Sequence, residues 1–135
     1  MTSGENGLVT RLIGYRLYTV QFGLDHVQLR FEKDGSNHLP YLDCDRLPVV
    51  RSGEADHRPG ENGYADALTT LIGHEVVDAV EPDGAGLRIV WAAGSVLLSP
   101  GGVGVLGDEI ATLGGFDDGS SAQWYAGEGA FETAT

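Results

Sequence analysis

Apolar and polar residues alternate most cleanly in Val27-Gln28-Leu29-Arg30-Phe31-Glu32. Val27, Leu29 and Phe31 point one way and the polar side chains the other, the mark of a strand with one buried face. Asp34-Gly35 follows as a hairpin turn, and the chain returns through His38-Leu39-Pro40-Tyr41. Leu87, Ile89 and Trp91 repeat the pattern, fed by a tight turn at Asp83-Gly84 after Pro82. Here Val90 and Ala92 stand where the first strand has polar residues, so the outer face is expected to be covered as well.

Helical spacing occurs once. Tyr64, Leu68, Leu71 and Ile72 fall at i, i+4, i+7 and i+8 and predict a helix over 64–72. Asn62 is its candidate N-cap, Asp66 favours its first turn, and Gly73 ends it. The preceding segment, 47–63, is polar, contains Pro48, Gly53, Pro59, Gly60 and Gly63, and reads as a long loop. Beyond Pro100, strands are expected over 103–106, 109–113 and 122–126, with Gly115-Phe116-Asp117-Asp118-Gly119 turning between the last two.

An internal repeat organises these elements. Leu12-Ile13-Gly14-Tyr15-Arg16-Leu17 recurs as Leu71-Ile72-Gly73-His74-Glu75-Val76, an offset of 59. Val27–Phe31 then matches Leu87–Trp91 at an offset of 60, and Gly35-Ser36 matches Gly94-Ser95 at 59. Two copies are too few for a solenoid. They predict an α+β, mainly β fold: two similar antiparallel β-meanders, about 12–41 and 71–100, related by a pseudo-twofold, with one short helix before the second.

Length and composition fit this picture. The chain's 135 residues suit one domain, and 41% hydrophobic residues suit a globular one. The net charge is −12, and it is unevenly placed. Residues 1–58 hold 8 acidic and 7 basic side chains, whereas residues 59–135 hold 12 acidic groups and one basic group, Arg88. Such a field repels nucleic acid and anionic lipid and suits a basic protein partner. The uncharged stretch from Ile89 to Gly107 has the length of a membrane span, but Ser99-Pro100-Gly101-Gly102 is turn chemistry, so strands are expected there instead. The polar start, Met1 to Gly7, does not read as a signal peptide, and the single cysteine, Cys44, suits a reducing cytoplasm. Arginine outnumbers lysine seven to one, a bias that points to a GC-rich bacterium.

Candidate chemistry is sparse. His38, Asp43, Cys44, Asp45 and His57 crowd one region and include a thiol, two imidazoles and two carboxylates. Their spacing matches no familiar metal-ligand pattern, so a structural role is expected for Cys44, and no metal or cofactor is expected. His26 and His74 read as surface residues. Gly102-Val103-Gly104-Val105-Leu106-Gly107 spells a dinucleotide fingerprint, but no long helix is predicted after it, so it reads as accidental. Trp124 and Tyr125 adjoin acidic residues, and neighbouring strand residues face opposite sides, so one ring is expected at the surface. With Asp117, Asp118 and Glu128 they form a candidate partner-binding set.

The Leu-Ile-Gly repeats, the Asp-Gly and Gly-Ser hairpins and the Gly-Glu-Gly-Ala-Phe end, over about residues 8–131, resemble a group of small uncharacterised bacterial proteins of similar length. That resemblance implies the fold and carries no activity. In size, acidity and cytoplasmic character the chain is more loosely similar to immunity proteins, which neutralise basic toxins. The expected function is therefore a non-catalytic acidic protein-binding module, of immunity or regulatory type. The alternative is a small-molecule-binding protein or enzyme with its pocket between the meanders. Homodimerisation is compatible with either.

Overall fold

A computed structural model describes residues 8–24, 26–80, 86–98, 109–125 and 133–134. A 3-10 turn, Val9–Leu12, leads into β1 (Arg16–Phe22), β2 (Val27–Glu32) and β3 (Tyr41–Cys44). The hairpin β4 (Val49–Ser52) and β5 (Ala55–His57) follows, then the helix α1 (Tyr64–Thr69). The second part contains β6 (Val76–Val80), β7 (Leu87–Trp91), β8 (Gly94–Leu98), β9 (Glu109–Gly114), β10 (Ala122–Tyr125) and the short β11 (Thr133–Ala134). The described chain is thus mainly β with one short α-helix, as the alternation predicts. No described helix is long and apolar enough to cross a membrane.

The strands form two antiparallel sheets, ordered β1-β2-β3-β9-β10-β11 and β5-β4-β8-β7-β6. Each meander keeps its three strands side by side, and the hairpin that follows it crosses to the other sheet. Hence β4 pairs with β8, and β9 pairs with β3. Exchanging β1–β5 for β6–β10 converts β1-β2-β3-β9-β10 into β6-β7-β8-β4-β5, the other sheet's order. The joint between the meanders is reciprocal under the 59-residue offset. Gly14 N donates to Val76 O at 3.0 Å and Gly73 N to Leu17 O at 2.8 Å. Leu17 N donates to His74 O at 3.1 Å and Val76 N to Tyr15 O at 2.8 Å. Arg16 and Glu75, themselves 59 apart, form an isolated antiparallel bridge.

Register follows the alternation. Leu17 lies opposite Phe31, and Val76 opposite Trp91; in both meanders the register then shifts by one residue. The extra residues, Tyr18 and Val77, are 47% and 54% exposed. A bulge of this kind bends an edge strand and discourages pairing with other chains. The buried faces meet in one core, in which the rings of Phe31 and Trp91 stack at 6.4 Å with planes 5° apart. The interior between the meanders is therefore filled with side chains.

Two expectations are corrected. The segment 47–63 is not a long loop, because its first half is the β4–β5 hairpin, turned at Gly53 with φ 63°. Val50 on β4 is fully buried, and the proline and glycine content around it masked a four-residue strand. The helix stops at Thr69 rather than continuing to residue 72, and Gly63, not Asn62, occupies the N-cap with φ 88°. Leu71 still enters the core from the turn after α1, whereas Ile72 is 40% exposed. The expected strand over 103–106, the Asp83-Gly84 turn, the 102–107 glycine pattern and the Met1–Gly7 segment lie outside the described residues.

Candidate partner-binding surface

The constellation around Cys44 does not come together. Cys44 is fully buried at the end of β3, and loss of solvation, reinforced by the charges of Asp43 and Asp45, pushes its thiol well above the usual range. A thiol held neutral in this way is a poor nucleophile and metal ligand. His57 belongs to β5 in the other sheet. His38 is exposed in the β2–β3 connection, beside an open cleft of about 400 Å³ lined also by Tyr15, Lys33, Asp34 and Asp117.

Asp43 and Asp45 do find a partner, one that sequence spacing does not reveal. Because β9 pairs with β3, Thr112 faces Asp43 and Ala111 faces Cys44. The chain continues past Cys44 with Asp45 N bonded to Ile110 O at 2.9 Å, which brings Asp45 to the start of β9. Three carboxylates, Asp43, Asp45 and Glu109, therefore share one end of the six-stranded sheet. The Thr112 hydroxyl donates to Glu109 Oε2. The Oδ1 atom of Asp43 is buried and has no hydrogen-bond partner. The Asp45 carboxyl is raised above its ordinary pKa by partial desolvation first, and then by the charges of Glu109 and Asp43, with His26 opposing. An unpartnered acceptor and a carboxylate that resists ionisation together describe a site with surplus negative potential.

Exposed apolar side chains lie at the same end. Phe22 pairs with Val27, and Val27 pairs with Cys44, so the β1–β2 turn and the end of β3 occupy one row of the sheet. Gly23 N bonded to His26 O at 2.8 Å closes that turn. A Cβ on Gly23 would fall 2.2 Å from the His26 ring, so glycine fits there and a larger residue displaces the imidazole. Phe22 is 46% exposed and Leu24 fully exposed, at 100%.

The sequence-derived partner set fares differently. Of the two adjacent rings, Trp124 is the one turned inward: it is 1% exposed and a core residue, so it leaves the candidate binding set. Its inward direction follows from β9–β10 pairing, which sets Trp124 opposite the buried Ala111. Tyr125 ends β10, and its side chain, like Glu128, lies outside the described residues. Asp117 and Asp118 are exposed in the β9–β10 turn and both contact Arg11, at 3.3 and 3.2 Å, while the Arg11 guanidinium lies 4.5 Å from the Phe116 ring centre. Hydrogen bonds from Ser120, followed by Arg11, lower the Asp118 pKa to about 2. These two carboxylates pin a turn to the 3-10 segment and are partly neutralised already.

No family model, curated protein or solved structure matches this chain.

Proposed function

We propose that this protein is a non-catalytic acidic binding module whose partner is a basic protein. Its contact surface is the Asp43–Asp45–Glu109 end of the six-stranded sheet, with Phe22 and Leu24 as apolar anchors. The observation that carries this reading is the unpartnered Asp43 carboxylate oxygen within a group of acids, beside exposed apolar side chains. An arginine or lysine from a partner supplies the missing donors, and the anchors supply apolar burial. A role in neutralising or regulating a basic protein, as immunity proteins do, is the form of this reading that the acidity favours.

The test is a pull-down from the source cell with the full chain, followed by binding kinetics of the recovered partner. Phe22→Ala and Asp43→Asn are expected to weaken binding, with truncation of a true anchor raising the off-rate about thirtyfold or more, the equivalent of about 2 kcal/mol. A partner that binds both variants as well as the unaltered chain contradicts this surface.

A further inference from the structure

The other sheet has a cleft of opposite character. It opens between the β4–β5 turn at Gly53 and the β7–β8 turn that ends at Gly94-Ser95, with a volume of about 340 Å³. The cleft that contains His38 lies against Gly35-Ser36, the pair that the repeat equates with Gly94-Ser95. That cleft carries Lys33 together with Asp34 and Asp117. Among the described residues this one is lined by Arg51 and Arg88 and by no carboxylate. In a chain with 20 acidic and 8 basic residues, a cleft lined by two arginines, with one acid, Asp56, at 3.7 Å from Arg51, departs from the surrounding composition.

The arginines are also underused. The side chain of Arg88, the only basic residue in 59–135, makes no hydrogen bond or ion pair with the described residues, and its Nε atom is buried without a partner. Arg51 has one weak contact, its Nε lying 3.7 Å from Asp56, and its side chain is 53% exposed. Trp91 borders the cleft with its strand only, because its ring turns inward and stacks on Phe31 in the core. Buried donors left unpaired carry a desolvation penalty that an incoming acceptor removes. Val90 and Ala92 give the cleft an apolar floor beside these charges.

We propose that this cleft is a binding site for a small oxyanion, a phosphate or carboxylate group on a compact ligand, held by Arg88 and Arg51. Guanidinium groups present planar sets of N–H donors that match both oxyanions. The site is on a different sheet from the acidic surface and stands whether or not a protein partner binds there.

Titration of the nitrogen-15-labelled full chain by NMR tests this, with inorganic phosphate and acetate in separate arms and chloride at matched ionic strength as control. The Arg88 Nε–H and the amides of 93–95 should shift saturably with one or both oxyanions and not with chloride. Phosphate saturating at lower concentration than acetate identifies a phosphoryl ligand, and the reverse order a carboxylate. Arg88→Gln and Arg51→Gln should each weaken the response at least tenfold, while Arg58→Gln should leave it unchanged. If Arg88→Gln loses its spectral dispersion, the exposed Arg51→Gln still decides. Shifts that follow ionic strength alone, or that persist undiminished in the arginine variants, overturn the proposal.

Discussion

Phe31 and Trp91 show how much one position decides here. Both rings are fully buried or nearly so, at 0% and 1% exposure, and they stack on each other. Truncating either to Ala removes a large ring from the shared core and should cost about 3–5 kcal/mol in urea unfolding. A loss under about 1 kcal/mol would mean the register has slipped. Cys44 makes a second residue-scale case. It packs as a small hydrophobe, so the folded chain should resist thiol reagents and label only as fast as it opens. Cys44→Ser should destabilise by about 1–3 kcal/mol, the penalty for a buried hydroxyl without a partner. Rapid labelling under native conditions would place the thiol at the surface. These core positions are legible in the sequence because period-two alternation reports burial directly. Trp124 is not, since adjacent aromatics leave the direction of each ring to the pairing of β9 with β10.

At the level of elements, local signals and long-range pairing divide what is legible. The meander strands β2 and β7 and the turn at Gly115–Gly119 come from alternation and glycine placement, and the structure has them where the pattern puts them. The β4–β5 hairpin is hidden because its partner, β8, is distant in sequence and its four-residue strand shows too little alternation. The same crossing topology joins Glu109 to Asp43 and Asp45, so the acidic site was only two-thirds visible from sequence neighbours. The crossing has a sensitive point. A Cβ on Gly94 would sit 2.4 Å from Arg51 O, a backbone atom that cannot swing aside. Gly94→Ala should therefore loosen the β4–β8 pairing, seen as faster amide hydrogen exchange in Val50 and Val96 than in Leu29. Equal protection in all three would show that the hairpin adapts without strain.

For the whole molecule, charge sets the pH response and the association behaviour. Asp118 and Asp34 have lowered pKa values, so each binds fewer protons folded than unfolded near its transition. Their stabilisation is present above the ordinary carboxylate range and is lost as pH falls, for Asp118 toward about 2. Asp45 has the opposite sign. Its raised pKa means the folded chain holds that proton longer, so its contribution falls as pH rises from the ordinary value of 3.8 through the raised one. Asp45→Asn should thus stabilise the chain at neutral pH and have little effect at pH ~3, where both forms are uncharged. Stabilisation that is the same at both pH values would rule out relief of charge repulsion as its cause. Binding of a partner's cation favours ionised Asp45, so affinity should climb as pH rises through that same window and level off above it.

Whether an acidic surface with apolar anchors receives a basic protein is decided by the salt dependence of association with the captured partner. Near 0.15 M salt the Debye length is about 8 Å, short enough to screen charges across an approaching interface. The on-rate should fall steeply between roughly 0.05 and 0.5 M salt with a much smaller change in off-rate. Asp43→Asn combined with Asp45→Asn should flatten that dependence. An on-rate indifferent to salt, or a salt dependence that the double variant leaves intact, would contradict a basic partner at this surface.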